Sequence, residues 1–168
     1  KAIKLKPDYV EAHNNLGITL QTLRKLNEAE SSYKKALELK PDFAIAHNNL
    51  GNTFKYLGKL KDAETSFKKA LSLKPDYLEA YSNLGIIFQK LNKIKEAEEI
   101  YNKALVLKPD YESILINRGQ ILFEKCEFEL SLKDFDACKS PYSRFWALIS
   151  LYALGRVEEI YERIKKYS

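Results

Sequence analysis

The hydrophobic and small residues of this chain recur at helical spacing, in segments of about a dozen residues broken by short polar turns. Val10, His13, Leu16, Gly17 and Leu20 follow the i, i+3, i+4, i+7 rule of a buried helical stripe. A second stripe, Ala29, Tyr33, Ala36 and Leu37, follows at once. The pair of stripes then repeats. Residues 7–40, 41–74 and 75–108 are gapless copies of 34 residues, each opening on Pro-Asp-aromatic and closing on Leu-Lys. A fourth copy, 109–140, opens as PDYESILINRGQILF and then drifts, and 141–168 still reads as a helix pair pivoting on Gly155, with Leu148, Leu151, Ile160 and Ile164 at core positions. A fixed period of this size marks a solenoid of stacked supersecondary units.

Turn chemistry sharpens the boundaries. Proline at 7, 41, 75 and 109 ends the preceding helix, and Asp8 with Glu11, and Asp76 with Glu79, have capping-box spacing. Gly58, Asn92 and Gly155 stand between helices, where a left-handed C-terminal residue is expected. Gly17, Gly51, Gly85 and Gly119 recur inside first helices, where glycine costs about 1 kcal/mol against alanine. That cost in every copy predicts a neighbour packed too closely for a methyl group.

These residues resemble the tetratricopeptide repeat family. In the second copy the resemblance is carried by His47, Leu50, Gly51, Phe54, Ala63, Phe67, Ala70 and Pro75, and in the third by Tyr81, Leu84, Gly85, Phe88, Ala97, Tyr101, Ala104 and Pro109. It weakens in the fourth, where Ser131 and Cys138 take the alanine positions and Pro141 comes early. The resemblance implies an all-α fold: a right-handed superhelical solenoid of antiparallel helix pairs. Its parts are read as three repeats at 7–40, 41–74 and 75–108, a degenerate fourth at 109–140 and a degenerate fifth pair at 141–168. Residues 1–6, KAIKLK, match the tail of a second helix and are read as the end of a truncated preceding repeat.

Asparagine is the polar feature that asks for a reason. Asn15, Asn49, Asn83 and Asn117 occupy one position of every copy, directly before Leu-Gly or Arg-Gly, although asparagine is a poor helix former. Two readings stay open. Each amide satisfies a buried backbone group, or the four form a ladder that pairs with the C=O and N–H of an extended peptide. The second arrangement resembles the repeat domain of O-linked N-acetylglucosamine transferases. On the same inner stripe stand Ile18, Thr22, Asn52, Tyr56, Ile86 and Gln120, with Asn14 and Asn48 at its flank and Lys55 further along. This mixed lining of apolar, amide and charged groups suits an extended peptide better than a phosphate backbone. The family's chaperone adaptors clamp a terminal carboxylate with Lys and Asn, but lysine is missing here from the early first-helix positions.

Charge changes the picture little. The chain has 168 residues and a net charge of +5, with no single basic face. Nucleic acid is therefore not an expected partner, and no apolar run is long enough for a membrane. Cys126 and Cys138 form no CxxC pair and read as small packing residues in a reducing, cytoplasmic setting. His13 and His47 share one repeat position with Tyr81 and read as bulky packing residues. No catalytic residue, metal ligand or cofactor is expected in this segment. The expected function is a protein-interaction scaffold holding a protein or extended peptide in its concave groove. The alternatives are a substrate-recruiting arm of a larger enzyme such as a glycosyltransferase, and a module that self-associates through its ends, where Tyr142, Phe145 and Trp146 offer an apolar patch.

Overall fold

A computed structural model describes residues 9–167; the truncated repeat read at 1–6 and the Asp8 cap lie outside them. The described residues form ten α-helices and no strand: α1 (Val10–Thr22), α2 (Leu26–Leu39), α3 (Ala44–Tyr56), α4 (Leu60–Leu73), α5 (Leu78–Lys90), α6 (Ile94–Leu107), α7 (Glu112–Glu124), α8 (Phe128–Asp136), α9 (Pro141–Ala153) and α10 (Val157–Tyr167). They fall into two compact units, one ending at Lys93 and one beginning at Ile94.

In the first unit α1 packs on α2, α3 on α4, and each second helix on the first helix that follows it. The recurring glycines are explained at atomic level. A Cβ on Gly17 would lie 2.6 Å from Tyr33 Cε1, and one on Gly51 would lie 2.8 Å from Phe67 Cε1. The close neighbour is thus the aromatic ring of the partner helix in the same pair. Ala29, Ala36, Ala63 and Ala70 are fully buried beside those rings. Leu16 departs from its expected burial at 39% exposed, while its equivalents Leu50 and Leu84 are 6% and 1% exposed. Helices α3 and α5 each pack on the second helix of the preceding pair, whereas α1 is the first described helix.

The capping box expected at Asp76 and Glu79 is not formed. Helix α5 begins one residue later than the motif requires, with Tyr77 at the N-cap and no side-chain cap bond. The cause is a turn. Phe43 N–H donates to Lys40 O at 3.3 Å and Tyr77 N–H to Lys74 O at 3.2 Å, so the intervening Pro-Asp forms the two central residues of a β-turn. Lys40 Nζ and Lys74 Nζ then lie 5.6 and 5.0 Å from the ring centroids of Phe43 and Tyr77.

The turns inside each pair follow expectation and extend it. Gly58, Asn92 and Gly155 are left-handed, at φ of 73°, 57° and 71°, and Arg24 and Cys126 take the same conformation at 61° and 62°. Each is closed by a long backbone bond, as from Lys59 N–H to Phe54 O at 2.9 Å.

The second unit holds its helices with altered chemistry. Ser131, in an alanine position, is fully buried and donates its hydroxyl to Gly119 O at 2.9 Å, which satisfies the added polar group. Leu132, Phe135, Ala147 and Leu151 form its core, with Ile116, Trp146, Leu148, Leu154 and Ile160 against them. Ile164, expected there, is 49% exposed because no further helix among the described residues covers that face of α10. Helix α8 ends at Asp136, and Ser140 then caps α9 by accepting from Ser143 N–H at 3.3 Å, with Pro141 in the first turn.

Candidate peptide-binding face

Within the first unit the first helices are neighbours, α1 of α3 and α3 of α5. This brings the asparagine position of one repeat beside the preceding residue of the last. Asn49 Nδ2 donates to Asn14 Oδ1 at 3.1 Å, and Asn83 Nδ2 donates to Asn48 Oδ1 at 3.3 Å. Asn14 and Asn48, expected at the flank of a groove, are each only 5% exposed and act as the acceptors beneath it. An amide has two N–H donors and two acceptor lone pairs, so each of these bonds leaves capacity toward solvent while holding the rotamer.

Lys55 reaches back from the end of α3, and its ammonium donates to Asn83 Oδ1 at 3.1 Å. Burial, and secondarily the neighbouring charge of Lys90, hold its pKa below the ordinary lysine value. The Tyr56 ring stands 51% exposed beside it, with Lys55 Nζ 5.4 Å and Arg24 Cζ 5.3 Å from its centroid. A groove of about 420 Å³ opens here, lined by Ile18, Gln21, Thr22, Arg24, Asn49 and Tyr56.

Of the residues read from sequence, Ile18, Thr22, Asn49 and Tyr56 thus meet in one cavity, with Lys55 and Asn83 adjoining it. Asn15 is exposed on α1, and Asn52 and Ile86 are half-buried on α3 and α5; none of the three lines the groove. Gln21 and Arg24 were missed. Gln21 Oε1 accepts from Tyr33 Oη at 3.0 Å, and burial pushes the Tyr33 phenol up to about 12. Arg24 had a legible signal: it stands at the inter-helix position where the next copies have Gly58 and Asn92.

The second unit carries Asn117, half-buried on α7. Gln120 Nε2 donates to Tyr142 Oη at 2.6 Å. Arg118, in the position of Leu50, grips Asp134 through two bonds of 2.8 and 2.6 Å and donates to Asn102 at 2.6 Å. These groups line a cavity of about 330 Å³ with Glu98, Leu122, Leu130 and Lys133, and the central guanidinium is matched by its own carboxylate. Of the expected apolar patch, Tyr142 and Phe145 are exposed, but the half-buried Trp146 stacks on Phe135 with centroids 5.8 Å apart. Cys138 is buried, which pushes its thiol up to about 11, whereas Cys126 is exposed in a turn and is not a packing residue. His47 Nε2–H donates to Pro41 O at 2.9 Å, tying α3 to the turn before it.

Residues 10–43 and 42–109 match the tetratricopeptide repeat family. The chain belongs to that family. Tetratricopeptide arrays are scaffolds for protein–protein interaction, and solved structures similar to this chain share the fold. PilF of Pseudomonas aeruginosa superposes with a TM-score of 0.85 at 20% identity, over 96% of this chain and 76% of that one. YrrB, a tetratricopeptide protein with an unusual peptide-binding site, gives 0.75 at 24% identity over 98% and 88%. MamA gives 0.74 at 23% identity over 94% and 85%. Among curated protein sequences nothing matches the chain significantly. No helix among the described residues is long and apolar enough to cross a membrane, and none of their His, Cys, Asp and Glu side chains gather in threes suited to a metal.

Proposed function

We propose that this array binds an extended segment of a partner protein along the first-helix face of its first unit. The observation that carries this reading is the groove in which Ile18 and Tyr56 supply apolar contact while Asn49, Gln21 and Thr22 supply donors and acceptors. Such a lining fits a main chain whose own N–H and C=O need partners, with side chains resting on the tyrosine and isoleucine. The amide pairs support it by fixing Asn49 and Asn83 before a ligand arrives, which reduces the ordering cost of binding. YrrB, similar in fold, is a peptide binder, which agrees with this use of the fold.

The test is an array of short peptides probed with the parent chain and with Tyr56→Ala and Ile18→Ser. Both side chains are exposed, so both variants should melt like the parent. Loss of the peptides that the parent retains is the expected result. Unchanged binding by both variants would remove the groove from the site.

A further inference from the structure

We infer that the peptide taken up by this face carries an acidic side chain, docked at the cluster formed by Arg24, Lys55 and Lys90; this rests on the peptide-binding reading above. Between successive pairs of the first unit, lysines converge on a shared carboxylate. Glu30 Oε1 and Oε2 hold Lys34 and Lys59 at 2.7 and 2.8 Å, and Glu64 holds Lys68 and Lys93 at 2.6 and 2.9 Å. Around Tyr56 the pattern changes. Arg24 and Lys55 both lie against its ring, Lys90 lies near enough to Lys55 to disfavour its charge, and no carboxylate among the described residues is within ion-pair distance of any of the three.

The acidic residues of the same helices do not neutralise this cluster. Glu11 and Glu79 stand in the first turns of α1 and α5, and Lys90 ends α5. Eleven residues of helix separate Glu79 from Lys90, about 16 Å along the axis, which exceeds the screening length at physiological salt. Like charges held together at the mouth of a groove favour a ligand of opposite sign. Arg24 Cζ and Lys55 Nζ, 5.3 and 5.4 Å from one Tyr56 ring, place two cations within reach of a single partner carboxylate, which would also offset the desolvation of the half-buried ammonium.

The position of the cluster selects a side chain over a chain terminus. Asn49 and Asn83 lie mid-helix, where the ligand's main chain would run, and the amide pairs continue on both sides of Lys55. Arg24 and Lys90 come from the turn after α1 and the end of α5, at one edge of that path, and Lys55 reaches from the same edge to Asn83. A carboxylate projecting sideways from a continuous main chain reaches them. Arg24 adds an independent sign. It holds a left-handed φ of 61°, where copy two has Gly58, so the backbone itself favours glycine there.

The experiment compares short acidic peptides with versions in which every Asp and Glu is replaced by Asn and Gln, each also made with an amidated C-terminus. Binding is measured by fluorescence anisotropy to the parent chain, to Lys90→Gln and to Arg24→Gly. The parent should prefer the acidic versions by about tenfold, as one charge-assisted contact provides. Each variant should lose most of that preference while melting at or above the parent temperature, since Lys90 is exposed and glycine suits the Arg24 backbone. Equal affinity for acidic and amide versions overturns the inference but leaves peptide binding standing. Loss of the preference on C-terminal amidation alone overturns the side-chain assignment in favour of a terminal carboxylate. Failure to hold any peptide of either kind overturns this inference and the peptide-binding reading together.

Discussion

Asn49 donates its amide N–H to Asn14 Oδ1 at 3.1 Å, and the same bond recurs one repeat later from Asn83 to Asn48. The partners are 35 residues apart, one more than the repeat length, so the bond joins a first helix to the next first helix. The acceptor is a side-chain amide of the neighbouring first helix, not the buried backbone group that one reading of the asparagine row expected.

Replacing Asn49 by alanine removes the donor to Asn14, a residue only 5% exposed. The expected cost is about 1–2 kcal/mol, the penalty for a nearly buried acceptor left without a partner. Asn15→Ala, at an exposed position, should be neutral within about 0.5 kcal/mol. Urea denaturation of the two variants checks this, and equal stabilities would show that the amide pair contributes nothing.

Gly51→Ala should destabilise by about 1–3 kcal/mol, because the new methyl would sit 2.8 Å from Phe67 Cε1 within a fully packed pair. Combining it with Phe67→Leu should recover part of that loss, a coupling that a double-mutant cycle reads directly. Ala63→Leu, at a fully buried position, should cost about the same as Gly51→Ala without altering the groove.

The pairs built on Glu30 and Glu64 predict an acid limb. Burial alone would raise the pKa of Glu64, but hydrogen bonds and charge from Lys68 and Lys93 outweigh it and hold the carboxyl below 4.5. Glu30 behaves in the same way with Lys34 and Lys59. A depressed folded pKa gives stability that is present above the unfolded value and lost as pH falls through the folded one. Melting temperature should therefore drop as pH falls below about 4.5, and Glu64→Gln should make that drop shallower.

Tyr33 predicts the opposite limb. Its phenol, fully buried beside Gly17, is pushed up to about 12 from 10.0. The unfolded chain releases this proton first, so stability should fall as pH rises from about 10 toward 12. Tyr33→Phe should flatten that fall, as followed by helical circular dichroism.

Arg118 and Asp134 replace the leucine and serine that hold the same positions in the second copy, Leu50 and Ser66. Asp134→Ser alone should cost about 3 kcal/mol, since it leaves a guanidinium with 24% side-chain exposure without its carboxylate. Arg118→Leu with Asp134→Ser should recover most of that loss, because the neutral pair found in the second copy leaves no buried charge without a partner. Thermal unfolding of both variants decides the matter.

Much of the architecture was legible because a solenoid contact is a local one. The ring of Phe67 meets Gly51 sixteen residues away, and the same spacing sets Tyr33 on Gly17 and Phe135 on Gly119. Period, small residues and left-handed turn positions therefore determined the helices, their pairing and the close approach within each pair. Tertiary structure decided what crosses from one repeat to the next. The turn at Pro75-Asp76 displaced the cap expected at Asp76, Asn14 and Asn48 went beneath the face instead of beside it, and Ile18, Asn49 and Tyr56 met Arg24 in one groove. The physical reason is one of range. Helix period and turn chemistry act over a few residues, whereas a charge or an amide finds its partner only after two repeats have stacked.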